Sequence, residues 1–197
     1  KAVEYRPFLV KEEKLLMIAE ESQDERQYIQ SLKEIVKACT FNKLKVNDLT
    51  SYDLEYIFVQ LRCKSVGETA EILLECEETK EKVPVTINLS EVKVQESKEK
   101  LNNVIELSDT VTIKLKPITV KNMDKLINPD LITMIRYMID SSLEEITEFI
   151  DSFTHDALIN IEKYISNQPK LTHTVKFKGP KGHDNEVTIE GFQSFFL

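Results

Sequence analysis

Residues 54–76 read LEYIFVQLRCKSVGETAEILLEC, and the period of the apolar pattern changes inside this stretch. Before Gly67, the apolar side chains recur three and four residues apart, which is the spacing of one face of an α-helix. After Gly67, they alternate with polar side chains, which is the spacing of a β-strand. The stretch therefore predicts a helix that is followed directly by a strand.

The N-terminal part of the chain is predicted to be helical from residue 10 to residue 66. Two amphipathic helices are separated by the polar break Ser22-Gln23-Asp24. A third helix begins within residues 48–51, where short oxygen-bearing side chains can accept hydrogen bonds from unpaired N–H groups. We expect the apolar stripe of the third helix to face the first two helices.

The middle of the chain is predicted to form strands. Alternation at residues 83–89 indicates a strand that returns after the charged link of residues 77–82 and completes a hairpin. Further strand signals lie at residues 92–94, 104–107 and 111–115. One small antiparallel sheet is the simplest way to assemble these strands.

The helical period returns between residues 121 and 168. It is interrupted at Asn128-Pro129-Asp130, because the residue before a proline is biased away from helical geometry, and again at Ser141 and Ser142. A second hairpin closes the chain around the turn Gly179-Pro180-Lys181-Gly182.

These patterns predict an α+β fold with two helical bundles and small antiparallel β-hairpins or a sheet. We divide the chain into four segments: an N-terminal helical region at 1–68, an antiparallel β region at 69–118, a C-terminal helical region at 119–168, and a β-hairpin with an aromatic tail at 169–197.

The two predicted hairpins share a short identical sequence. Val85-Thr86-Ile87 and Val187-Thr188-Ile189 each form the returning strand, which is compatible with two related helix-plus-hairpin halves. Two unrelated strands that follow the same β-propensity would show the same short identity without a common origin.

Composition disfavours several classes of partner. The formal net charge of the 197 residues is −8, whereas binding to a nucleic-acid backbone relies on clustered lysine and arginine. The chain has no apolar run of the roughly 18 residues that a membrane span needs. Neither a signal sequence nor an even set of cysteines is visible, so we expect synthesis in a reducing cytoplasm.

Residues with catalytic or metal-ligating chemistry are few. Spacing suggests no Ser-His-Asp or Cys-His grouping, and the four glycines form no phosphate-binding loop. The cysteines lack the close pairs typical of zinc sites. We therefore predict no catalytic residues, no metal, no cofactor and no enzyme activity. The residues considered are His155, His173, His183, Cys39, Cys63 and Cys76.

Two groups of residues near the ends of the sequence are candidates for partner binding. One interpretation is that they anchor these segments to the protein's own core. The other is that they fill pockets on a partner, because aromatic residues and arginine often dominate binding energy. The candidates are Tyr5, Arg6, Pro7, Phe8, Phe192, Phe195 and Phe196.

Two blocks of sequence resemble a known family. Residues 4–19, EYRPFLVKEEKLLMIA, and residues 49–62, LTSYDLEYIFVQLR, with the following KSVGE, are similar to the baseplate hub assembly proteins of T-even-type contractile-tailed bacteriophages. The strand at residues 85–89 and the ending at residues 191–196 also fit. In this family an N-terminal helical block leads through such a helix to a hairpin.

The resemblance implies a non-enzymatic role in building the tail baseplate hub. The implied protein is an assembly factor, or chaperone, that contacts other hub proteins as part of a hetero-oligomer in the host cytoplasm. The alternative is a permanent structural subunit of the hub in the virion baseplate. Family members often carry cysteine pairs that suggest zinc ribbons, whereas here the first hairpin has Cys76 alone and the second has no cysteine.

Overall fold

The computed structural model describes residues 3–96, 102–108, 111–139, 146–191 and Phe195. The α-helices within these residues are α1 (Val10–Ser22), α2 (Glu25–Cys39), α3 (Ser51–Ser65), α4 (Leu131–Met138), α5 (Ile146–Asp151) and α6 (His155–Ser166). Short 3-10 helices cover Val46–Asp48, Leu89–Glu91 and Val120–Lys125. The strands are β1 (Thr69–Glu75), β2 (Lys82–Asn88), β3 (Lys93–Gln95), β4 (Val104–Ser108), β5 (Val111–Lys114), β6 (Lys170–Lys178) and β7 (Asp184–Glu190). The α+β class is confirmed.

The boundaries of the N-terminal helices follow from local chemistry. Gln23 adopts a left-handed conformation and ends α1, and the Asp24 carboxylate then accepts a hydrogen bond of 2.9 Å from the Arg26 N–H at the start of α2. The Thr50 hydroxyl accepts the Asp53 N–H at the start of α3. Gly67 has a φ of +134°, a conformation that L side chains rarely adopt, and it separates α3 from β1. The breaks predicted between the N-terminal helices and at Gly67 are confirmed.

The helix predicted to begin after residue 120 is a 3-10 helix in the structure and not an α-helix. Val120–Lys125 is a 3-10 helix, and Asn128 then has a positive φ of 49° before Pro129. This segment is short and ends near a proline, which favours a short 3-10 helix over an extended α-helix. The break predicted at Ser141 and Ser142 lies outside the described residues.

The expected single sheet of the middle region is wrong. β1 pairs with β2 and β4 pairs with β5 as separate antiparallel hairpins, while β3 joins a three-stranded sheet in the order β3-β6-β7. In that sheet Val94 lies opposite Leu171, which comes from the C-terminal hairpin. The reason is burial: β3 and β6 lie against α3, and Val92 and Leu171 enter the same apolar core.

The described residues form two apolar core clusters. The first is built around α1, α2 and α3 and includes side chains from β2, β6 and β7, while the second lies among β4, β5, α4, α5 and α6. A backbone hydrogen bond of 3.3 Å from Ser51 N to Ile118 O joins the start of α3 to a residue packed against the second cluster. Val120 N also donates a hydrogen bond of 2.9 Å to Leu49 O. The four-segment division of the chain stays a prediction.

No helix in the described ranges is both long and apolar enough to cross a membrane.

Candidate protein-interaction surface

The segment before α1 is fixed by an ion pair between Arg6 and Glu12. The Arg6 guanidinium donates two hydrogen bonds to the carboxylate, of 2.8 and 3.2 Å, and the Leu9 N–H donates a third of 2.8 Å. The Arg6 guanidinium, helped by the Leu9 N–H and opposed by burial, lowers the pKa of Glu12 below its usual value. Because the Glu12 side chain is only 4% exposed, this contact is part of the fold.

The same segment is anchored through Phe8. Its ring is buried in the first core cluster, 5.7 Å from the ring of Phe58 between centroids. Its N–H donates a hydrogen bond of 2.8 Å to the hydroxyl of Ser65 at the end of α3. Of the predicted partner-binding residues, Phe8 and Arg6 thus have intramolecular contacts.

Tyr5 and Pro7 lie on the outer side of this segment and are exposed. Nearby, Glu4 forms an ion pair with Lys43, whose ammonium group lies 5.6 Å from the centroid of the exposed Phe41 ring. An anchored backbone that presents exposed aromatic side chains loses little entropy when another surface covers it. Tyr5 therefore belongs to a surface that is suited to protein contact.

Helix α1 carries a second exposed apolar surface. Val10, Met17 and Ile18 are 65%, 58% and 56% exposed, and their spacing of seven and eight residues places them on one side of the helix. On the opposite side Ala19 is buried. We call Val10, Met17 and Ile18 the α1 stripe.

The amphipathic pattern predicted for α1 does not mark the α1 stripe as a site. Of the closely spaced apolar residues Leu15, Leu16, Ile18 and Ala19, only Ala19 is fully buried. The available signal was that apolar residues occur on two sides of α1, whereas a helix packed on one side needs only one apolar face.

Of the three C-terminal phenylalanines predicted to bind a partner, the structure describes Phe195. Phe195 is 1% exposed and packs in the first core cluster. Phe192 and Phe196 lie outside the described residues. Partner binding by these aromatic residues stays a prediction, and Phe195 has an intramolecular role in the core.

The tips of the β1–β2 and β6–β7 hairpins contact each other. A Cβ atom placed on Gly179 would lie 2.6 Å from Cys76 Sγ, so the absence of a side chain permits this approach. The Glu77 N–H donates a hydrogen bond of 3.1 Å to Asn185 Oδ1 across the same contact. Hydrogen bonds from the Thr79 N–H and hydroxyl, followed by weaker ones including Asn185, lower the pKa of Cys76.

These tips do not fit the zinc site that the family resemblance suggests. A closed site needs four ligands such as cysteine thiolates or histidine nitrogens. Only Cys76 supplies a thiolate here, since Thr79, Gly179 and Gly182 occupy the positions where knuckle spacing would require cysteines. The described residues contain no group of three or more His, Cys, Asp or Glu side chains that could hold a metal ion.

His183 is the histidine of the second hairpin tip, and it contacts an acidic residue of the first. Its Nε2 lies 2.8 Å from Glu78 Oε2, and both side chains are substantially exposed. General acid or base catalysis needs a reacting group held beside a substrate-binding cavity. This exposed pair has the geometry of a surface contact between the two hairpins.

Comparison with known proteins gives a family. Neither the curated proteins nor the solved structures contain a significant match to this chain. The family model described as T4 bacteriophage base plate protein matches residues 1–197. The chain therefore belongs to the T4 bacteriophage base plate protein family.

Proposed function

We propose that this baseplate protein is a non-enzymatic assembly factor of the tail baseplate hub that acts by contacting hub subunits. The observation that carries the proposal is the α1 stripe, where three large apolar side chains remain exposed on one helix face. Such a face is stabilised when another protein surface covers it. Other baseplate proteins are the partners that the family suggests.

The position of the stripe supports the link to the hub. The block of residues 4–19 that resembles hub assembly proteins includes the Arg6–Glu12 ion pair and most of α1. The second block, residues 49–62, lies mainly in α3 and supplies Phe58, against which Phe8 packs. Both blocks thus help to build the element that displays the stripe.

The proposed absence of enzyme activity is supported by the scarcity of reactive groups. Cys39 and Cys63 are buried, and burial raises the pKa of each thiol, which disfavours the nucleophilic thiolate. Catalysis by cysteine would require an accessible thiol with a lowered pKa beside a basic group. Hydrogen bonds from Thr79 lower the pKa of Cys76, but this thiol is fully buried at the hairpin tips.

The test is co-expression with candidate hub subunits, followed by mass measurement of the purified complexes. We expect the wild-type chain to form a complex with a hub subunit. A variant with Val10→Ser, Met17→Ser and Ile18→Ser should lose most of that complex while the chain remains folded by circular dichroism.

A matched control removes exposed apolar side chains elsewhere. Val66 and Leu73 are as exposed as the α1 stripe, and Val66→Ser with Leu73→Ser should leave complex formation unchanged. Equal complex formation by the stripe variant and the control would contradict the proposal. Deletion of residues 1–10 is a poorer test because it also removes the buried Phe8.

The alternative role is a permanent structural subunit of the hub. A permanent interface would equally cover the α1 stripe, so the two roles differ in what remains in the virion. Quantitative mass spectrometry of purified tails distinguishes them. An assembly factor that acts in the host cytoplasm should be absent or substoichiometric, whereas a structural subunit should be present in a fixed ratio to hub proteins.

A further inference from the structure

A groove of about 710 Å³ lies between the α1–α2 turn, the start of α3 and the segment that precedes α4. Its apolar lining includes Ile29 and Leu32 of α2 together with Met123 and Leu126. A cavity of this size falls within the range of binding pockets that bury several apolar groups. None of the α1 stripe residues lines the groove, although Ala19 and Glu20, which follow Ile18 in α1, do.

The polar lining of the groove is strongly acidic. No lysine or arginine is among the lining residues that the structure describes. Within the described part of the chain, cations also act from outside the lining: Arg62 favours the charged form of Glu20, and Lys170 lies 3.6 Å from Glu190. The lining carboxylates are those of Glu20, Asp24, Glu25, Glu55 and Glu190.

Among the lining carboxylates, the ionised form of Glu55 would gain the most from a nearby cation. Its side chain is half-buried, and among the described residues it has no hydrogen bond or ion pair. Burial raises the pKa of Glu55 to about 7, because the charged form has lost water without gaining a partner. A positive group brought into the groove would favour the ionised carboxylate.

We propose that the groove binds a basic amphipathic helix of a partner protein. Apolar side chains at spacings of three, four and seven residues would enter the lining around Leu32 and Met123, and flanking lysine or arginine would face the acidic rim. This inference rests on the proposed function, since it takes the partner to be a baseplate protein. Residues 192–197, which follow Gly191 at the groove, contain no lysine or arginine and so do not match its charge.

The test uses the full chain and two labelled peptides of about 16 residues, long enough for four helical turns. Both carry leucine at helical spacing on one face, and the flanking positions are lysine in one peptide and glutamate in the other. We expect the lysine peptide to bind by fluorescence anisotropy and the glutamate peptide not to bind. Affinity for the lysine peptide should fall as salt rises from about 50 to 300 mM.

Charge variants locate the binding. Glu20→Lys with Glu25→Lys changes two exposed rim residues, and Glu55→Gln changes the half-buried one; either should weaken lysine-peptide binding at least about tenfold. The matched control is Glu81→Lys, an exposed residue of the charged link between β1 and β2, which should bind as the wild type does. Leu126→Ser tests the apolar lining and should also weaken binding.

Several results would overturn the inference. These are no binding of the lysine peptide, equal binding of both peptides, or equal affinity of the rim variants and the Glu81→Lys control. A tenfold gain in affinity on Phe192→Ser would assign the groove to the chain's own C-terminal residues. Dimerisation of the wild-type chain that is lost in the rim variant would assign it to a second copy.

Different results would contradict the proposed hub function and the proposed groove ligand. Loss of hub complexes in the α1 stripe variant with no lysine-peptide binding would remove only the groove. Lysine-peptide binding that follows the rim charges, without any hub complex on co-expression, would remove the proposed function and leave a basic helix as the ligand of the groove.

Discussion

The guanidinium of Arg6 lies 2.8 Å from the carboxylate of Glu12 and closes the segment Pro7-Phe8-Leu9 against the start of α1. The pair also orders the backbone, because Glu12 accepts the Leu9 N–H while the Arg6 N–H donates a hydrogen bond of 2.9 Å to Cys39 O at the end of α2. The ion pair and this backbone hydrogen bond of Arg6 together join the first segment to α1 and α2.

Removal of Arg6 should destabilise the fold. Arg6→Ala leaves the buried Glu12 carboxylate without its charged donor, and we expect a loss of about 2 kcal/mol in the free energy of unfolding. Lys11 also lies near this carboxylate but is largely exposed, so Lys11→Ala should change stability by less than about 0.5 kcal/mol. Urea denaturation at pH 7 measures both.

The effect of Arg6→Ala should also depend on pH. Since the pKa of Glu12 in the folded state is below its usual value of 4.5, the stabilisation is complete above pH 4.5 and is lost as pH falls through the lowered folded pKa. Denaturation of the wild type and of Arg6→Ala should therefore converge in acid. A stability difference that stays constant from pH 7 to pH 3 would contradict this account.

The sequence predicts this fold well where the determinants are local. Gly67 and the polar break before α2 act within a few residues, so the helix ends and the alternating hairpins follow from pattern alone. The pairing of β3 with β6 is a contact between distant parts of the chain, and period-2 alternation contains no information about which strand is the neighbour.

The candidate surface, like the fold, was only partly predictable from the sequence. Tyr5 and Phe8 were predicted together, yet one side chain points to solvent and the other into the core. Between residues 3 and 9 the backbone has no helical or strand period, so nothing in the sequence specifies which side chain turns inward. The acidic groove was not predicted either, because its carboxylates come from elements far apart in the sequence.

Phe8 and Tyr5 allow self-packing to be separated from partner binding. Phe8→Ala removes a ring packed against Phe58 and should cost about 3 kcal/mol in stability. Tyr5→Ala changes an exposed residue and should cost less than about 0.5 kcal/mol. Thermal and urea denaturation measure the difference. Comparable losses for the two variants would show that Tyr5 also contributes to the fold.

The contact between the hairpin tips should be sensitive to one methyl group. Gly179→Ala places a Cβ 2.6 Å from Cys76 Sγ and 3.1 Å from Asn185 Nδ2, and we expect a destabilisation of about 1 to 3 kcal/mol. Adding Cys76→Ala removes the closer clash and should restore part of the loss. A double-mutant cycle from urea denaturation measures this coupling, and strict additivity of the two changes would contradict the contact.

Glu55 should make the protein less stable as the solution becomes more alkaline. Burial raises the folded pKa of Glu55 from 4.5 to about 7, so the folded state favours the neutral carboxyl group. The stability that this neutral group contributes is complete below pH 4.5. That contribution is lost progressively between pH 4.5 and 7 as the unfolded state ionises first.

Glu55→Gln keeps the shape of the neutral acid and removes the ionisation. We expect this variant to be more stable than the wild type by about 2 kcal/mol at pH 8 and nearly equal to it at pH 4. Glu71→Gln, at an exposed position of β1, is the matched control and should show no such pH-dependent gain. If urea denaturation gave Glu55→Gln the same advantage at pH 4 as at pH 8, its effect would come from packing, and the carboxylate at the groove would not be held in its neutral form.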